Sequence, residues 1–118
     1  MPKLRVRNQS RNTVVADRAD IADTSKTRKI GLLKRTGLER GEGLWITPCE
    51  AIHTFGMKFP IDVVFLDKKR RVVKVRSAVG KWRMAICLRA HSVLELPSGM
   101  AGETLTAAGD QLDLEKYD

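Results

Sequence analysis

The sequence predicts an α+β domain that is mostly β, a small barrel-like or rolled sheet, antiparallel or mixed, with one or two short helices. Three observations predict it. Short apolar or β-branched runs recur along the chain and are separated by Gly, Pro, Asn and Asp. Only one stretch, Asp23 to Arg35, carries the spacing and end signals of a sustained helix. The chain has 118 residues, the size of one domain, so these segments must share a fold. Residues 1–118 are accordingly expected to form a single domain, with no internal repeat or low-complexity tract.

Lys3 to Arg7 alternates charged and apolar residues, with Leu4 and Val6 on one face, as a half-buried strand does. Thr13 to Ala16 is β-branched and reads as its partner across a turn at Asn8 to Asn12. In the stretch Asp23 to Arg35, Asp23 or Thr24 can cap a helix, and Ile30 and Leu33 share a face. Lys34 and Arg35 suit the C-terminal end of its dipole, and Gly37 is a plausible stop. Gly31 weakens this helix by about 1 kcal/mol relative to alanine. Gly41-Glu42-Gly43 makes a turn into a short strand, Leu44 to Thr47, which Pro48 ends. Ile52 to Phe59 is expected to be extended, with Phe55, Met57 and Phe59 on one face beside Trp45 as core. Ile61 to Leu66 is the most apolar run and reads as a central strand buried on both faces. Asp67-Lys68-Lys69-Arg70 is a charged turn, and Arg71 to Arg76 pairs back as a hairpin arm. Trp82 to Leu88 fits either strand or helix. Val93 to Leu96 is a strand closed by Pro97. Ser98 to Thr104 is expected to be a short helix capped by Ser98, and Gly109-Asp110 turns into a last strand, Gln111 to Leu114.

Composition narrows the function classes. Hydrophobic residues make up 42% and charged residues 31%, which is globular and not disordered. The net charge is +8, which turns attention to polyanions. The longest apolar run, Val63 to Leu66, is far shorter than the roughly 20 residues that span a bilayer, so no membrane partner is expected. The N-terminus, Met1-Pro2-Lys3-Leu4-Arg5, lacks the apolar stretch of an export signal, so a cytoplasmic location is expected. Cys49 and Cys87 are then expected as thiols.

One ordered set of residues is more specific. Gly43-Leu44-Trp45-Ile46 and Pro48-Cys49 precede His53-Thr54-Phe55-Gly56-Met57-Lys58-Phe59-Pro60-Ile61-Asp62-Val63-Val64-Phe65-Leu66-Asp67. Trp82-Arg83, Cys87, Val93-Leu94-Glu95-Leu96-Pro97-Ser98-Gly99 and Gly109-Asp110 follow. From about Arg28 to Leu114 the chain resembles the DUF192 family, small bacterial and archaeal domains of unknown function. The resemblance implies a compact β-rich domain and brings no catalytic residue with it. Many such proteins carry a signal peptide or membrane anchor, and this chain looks like the cytoplasmic, cysteine-containing kind. It departs from the pattern at Gly56, where bulky residues are usual, at Lys81, where proline is common, and at Thr104, where the short helix often ends in glycine.

Four groups of residues could carry chemistry. Asp62 and Glu95 each interrupt an apolar strand, and a carboxylate placed so must find a cation or N–H donors, or its pKa rises. With His53 and Lys58 they could form a polar ligand-binding patch, or each could lock its own strand. Cys49-x₃-His53 and Cys87-x₃-His91 together offer the ligand types of a zinc site. On strands each pair lies about 13 Å apart, and buried cysteines beside ordinary histidines are the preferred interpretation, so neither metal nor cofactor is expected. Cys49 with His53 as nucleophile and base meets the same obstacle of distance. Finally, Lys68, Lys69, Arg70 and Arg71, with Lys74 and Arg76, concentrate positive charge in one hairpin that could hold a polyanion or nucleic acid. With aromatic residues at 5%, platforms for stacking bases are sparse.

The sequence therefore favours a small binding domain for a ligand, peptide or protein partner, centred on His53, Lys58, Asp62 and Glu95. An enzyme using that cluster for acid–base chemistry is the alternative. A polyanion-binding module working through Lys68 to Arg71 is the third possibility.

Overall fold

The structure is a computed structural model describing residues 2–118. Its elements are β1 (Lys3–Asn8), β2 (Thr13–Ala22), α1 (Ser25–Ile30), β3 (Glu42–Ile46), β4 (Ala51–His53), β5 (Ile61–Leu66), β6 (Val72–Val79), β7 (Met84–Ile86), β8 (Ser92–Pro97), α2 (Met100–Glu103) and β9 (Leu112–Tyr117). Seven strands form one mixed sheet in the order β6-β5-β8-β3-β2-β1-β9, and β4 pairs with β7 in a second, small sheet. Only β2 and β3 run parallel; the other neighbours are antiparallel. The large sheet curls until its two edge strands approach, and an Arg71–Gln111 bridge joins them at one corner. Register shifts in the β1–β2 and β5–β6 ladders are the irregularities that let a sheet bend in this way. The mostly-β, rolled architecture expected from the sequence is the one observed.

The roll has an inside and a covered outside. Inside, Leu4, Val15, Trp45, Val64, Leu94 and Leu112 meet residues from all seven strands. On the outer face, Leu44, Ile46, Val63, Phe65 and Val93 pack against Leu32, Ile52, Met57 and Ala85, so the small sheet and the α1 region form a lid. This is why β5 is buried at every position and reads as an unbroken apolar run.

Several elements depart from the sequence expectation, each for a local reason. The helix expected over Asp23 to Arg35 is only Ser25–Ile30, with Thr24 as cap. Gly31 adopts φ +50, a conformation open to glycine that ends the helix six residues before Gly37. The extended segment expected over Ile52 to Phe59 is a strand only at Ala51–His53, because the chain turns at Gly56 with φ +83. The turn separates the residues expected on one face: Phe55 is exposed, Met57 is buried under the lid, and Trp45 points into the roll. Trp82 to Leu88 contributes a strand at Met84–Ile86.

Helix α2 starts without a side-chain cap from Ser98; Gly99 is its N-cap residue. Its exposed N–H groups go to Asp62 instead. The Asp62 carboxylate accepts from the N–H groups of Gly99 (3.0 Å) and Ala101 (2.9 Å) and also from Ala78 (2.8 Å). Met100 and Ala101 are thereby pressed into the end of the roll. A second polar lock sits at the Gly109-Asp110 turn, where the Asp110 carboxylate accepts from the Asn8 side chain (3.0 Å), the Ala107 N–H (3.0 Å) and Arg11 (3.2 Å).

Asp62→Asn should therefore lower stability by about 3 kcal/mol, because it weakens three charge-assisted bonds and points an amide NH₂ at N–H donors. Urea denaturation of both proteins checks this, and a difference below about 0.5 kcal/mol would remove Asp62 from its locking role.

Candidate functional site

The lid is incomplete. Between the α1 region and β4 it leaves a cavity of about 350 Å³, lined on the apolar side by Ile30, Leu33, Ile46, Ile52 and Met57. The polar lining comes from Arg28, Lys29, Cys49, His53 and Glu95, with Glu95 the one carboxylate. Ala51, Ile52 and His53 all line it. Successive strand residues point to opposite faces, so the cavity meets β4 along its edge.

Glu95 belongs to β8, opposite Leu44 of β3 and Val63 of β5. Both neighbours belong to the outer, lidded face, and Glu95 therefore lies under the lid. It is 3% exposed. Among the described residues no ion pair or hydrogen bond offsets its burial, and desolvation raises its pKa from 4.5 to about 7. A carboxyl group in this state can donate and accept as a neutral acid, or ionise near neutrality and seek a cation.

The structure divides the four residues expected to form a polar patch. His53 and Glu95 share the cavity. Asp62 does not join them. It pairs with Leu96 across the β5–β8 ladder and so faces the inside of the roll, where backbone donors surround it. Lys58 is exposed on the turn after β4 and lies outside the cavity lining. The His53 ring packs against Phe55, with centroids 5.1 Å apart.

The Cys/His residues do not assemble as a metal centre. Among the described residues no group of three or more His, Cys, Asp or Glu side chains is placed to hold an ion. Cys87 is buried under the lid, and the Cys49 N–H donates to the His91 carbonyl at 2.8 Å. Cys49 and His53 do line the same cavity. The Cys49 thiol, however, donates to the Ala51 carbonyl at 3.1 Å, and burial pushes its pKa up, the opposite of what activates a nucleophile.

The basic hairpin is where the sequence placed it. Lys68, Lys69, Arg70 and Arg71 are exposed, and Asp67 orders the turn by accepting from the N–H groups of Lys69 (2.9 Å) and Arg71 (3.0 Å). Arg70 is partly committed, since its guanidinium lies 5.3 Å from the Trp45 ring centroid. Sequence reasoning missed the apolar wall of the cavity and the cations Arg28 and Lys29. The one signal it offered was Glu95 itself, a carboxylate amid Leu94 and Leu96. Nothing local says that the α1 region folds over it.

Comparison with known proteins agrees with the fold and adds no assigned activity. The DUF192 family model, described as "Uncharacterized ACR", matches residues 6–114. A UPF0127 protein of Thermococcus sibiricus is 32% identical over 114 residues, covering 92% of this chain and 73% of its relative. Another, from Pyrococcus horikoshii, is 33% identical and covers 89% of this chain and 94% of the relative. Among solved structures, a protein of unknown function from Novosphingobium aromaticivorans superposes with a TM-score of 0.81 at 23% identity, covering 94% of this chain and 83% of the other. A protein of Sinorhizobium meliloti, described as a candidate transcription regulator, gives 0.84 at 16% identity, covering 97% and 94%. At these identities the structures speak to the fold alone. The match across nearly all of the roll and its lid, together with the archaeal relatives, places this chain in the DUF192 family.

Proposed function

We propose that this domain binds a small, partly apolar ligand whose amine or other N–H donor group docks on Glu95. The observation that carries this reading is a carboxyl group almost wholly buried, unpartnered within the described protein, and lining a cavity. Buried charges are held by partners, and here the ligand is the partner. Ile30, Leu33, Ile46 and Met57 supply an apolar wall for the ligand body, and Arg28 and Lys29 suit an anionic group at the mouth. A few placed polar groups in a mostly apolar cleft are the usual make-up of a small-molecule site.

A second reading keeps the same site and makes it catalytic. Its support is the Glu95 pKa of about 7, since a general acid or base works best when its pKa lies near the operating pH. Both readings centre on Glu95, with His53 at the cavity and Lys58 and Asp62 outside it.

NMR titration with phenethylamine and its uncharged counterpart phenethyl alcohol tests the binding reading. The amine should shift resonances of Ile30, Ile46 and Met57, bind more tightly above pH 7 than at pH 5, and weaken about tenfold in Glu95→Gln. Equal effects of amine and alcohol, unchanged by the substitution, would remove Glu95 from ligand recognition.

The raised pKa also has a stability signature that needs no ligand. Between pH 4.5 and 7 the folded chain keeps a proton on Glu95 that the unfolded chain releases. The contribution of Glu95 to stability is thus fully present below that window and is lost as pH rises through it, by roughly 3 kcal/mol. Glu95→Gln should lack this component, so the wild-type-minus-variant difference in urea denaturation should decline from pH 4.5 to 7.5. A flat difference would show that Glu95 ionises without penalty.

A further inference from the structure

The small sheet carries apolar residues on both sides, with His53 beside Met84 on the outer one. Ala85 and Cys87 face inward under the lid, the larger Met84 and Ile86 face outward, and Leu88 in the turn after β7 is exposed. At one end Phe55 and Trp82 continue this outer face, their ring centroids 5.7 Å apart. Trp82 is 67% exposed and Leu88 78%. Trp82 stands on the β6–β7 connection at φ +60, a conformation unusual for a bulky residue.

The surroundings are cationic. From residue 50 to residue 92 the sequence holds ten lysines and arginines against three carboxylates, Glu50, Asp62 and Asp67. Asp62 and Asp67 are already bound by backbone N–H groups. The ion pairs of the described residues all use cations outside this stretch, namely Lys3, Arg5, Arg11, Arg18, Arg35 and Arg40. Lys58, Lys81, Arg83 and Arg89 flank the apolar row in sequence, and all four are exposed.

We propose that the outer face of β4 and β7 docks on an anionic lipid surface, with Trp82, Met84, Ile86 and Leu88 entering the headgroup–acyl boundary and the flanking cations meeting phosphates. Charge complementarity selects this occupant. A second copy of the same face would bring like charges together. A nucleic acid would use the aromatic rings but leave Met84, Ile86 and Leu88 against water. Tryptophan and aliphatic side chains bordered by lysine and arginine match the layered chemistry of the bilayer interface. The sequence expects no membrane partner because its longest apolar run is too short to span a bilayer. No helix of the described residues is long and apolar enough to cross a membrane, and surface docking requires none.

The chain carries its own reporter, since Trp45 is buried and Trp82 is the only other tryptophan. The intact protein is mixed with vesicles of 30% phosphatidylglycerol in phosphatidylcholine, and separately with pure phosphatidylcholine, in 0.1 M NaCl. The proposal expects saturable co-sedimentation with the anionic vesicles only, and a blue shift of tryptophan emission. Leu88→Ser, whose fold is verified by its melting curve, should weaken partitioning about tenfold, and Lys81→Glu with Arg83→Glu should do the same through charge. Absence of partitioning overturns the proposal. So does binding that leaves the emission and the Leu88→Ser affinity unchanged, which is charge attraction without insertion. A blue shift with a dT20 oligonucleotide or polyglutamate, where vesicles produce none, overturns it in favour of a nucleic acid or an acidic protein partner. Ala51 and His53 border both the docking face and the cavity, but none of these readouts or variants involves Glu95, so failure of docking and failure of ligand binding are told apart.

Discussion

Strands β5 and β8 are apolar on both faces, and neither face can be left to water. Burying a single large aliphatic side chain is worth about 2 kcal/mol, and β5 buries all six of its residues. One face is covered when the large sheet rolls onto itself. The other needs a separate cover, and the chain builds it from the β4–β7 sheet and the α1 region. The remaining features follow from this double demand. The roll needs a plug at its end, which α2 supplies under the hold of Asp62. The lid is assembled from short pieces, and the gap between two of them is the cavity.

Asp62 and Glu95 show how little separates a structural carboxylate from a functional one. Both interrupt apolar strands in the centre of the sheet, and both are almost fully buried. Asp62 meets three backbone donors, two at the start of α2, where the helix end requires an acceptor, and the third, Ala78, on β6, so the anion and the orphan N–H groups satisfy each other. Glu95 shares an open volume with Arg28, Lys29, Cys49 and His53, and among the described residues none of them bonds to it. The same burial therefore makes one carboxylate a bolt and leaves the other with an unmet need that a ligand or a proton can answer.

Much of the fold was legible because strand periodicity and turn chemistry are local. The half-buried pattern of Leu4 and Val6, the unbroken run Ile61 to Leu66, and the Asp67–Arg70 turn all report their own surroundings. The failures were local too. Gly31 and Gly56 act through positive φ, which composition alone does not reveal, and each shortened an element that side-chain spacing favoured. Trp82, Met84, Ile86 and Leu88 were ambiguous in sequence because they break the rule that links large apolar residues to the interior.

Patterns within single segments are enough to make the domain mostly β, to put Ile61 to Leu66 at its centre, and to mark Asp62 and Glu95 as carboxylates under electrostatic strain. Tertiary structure alone decided which of them faces the cavity. In the β5–β8 ladder Asp62 pairs with Leu96 and Val63 with Glu95. Successive residues of a strand point to opposite faces, so that single step of register sends the two carboxylates to opposite sides of the sheet. Register is set by pairing between distant segments, and no pattern within either strand contains it.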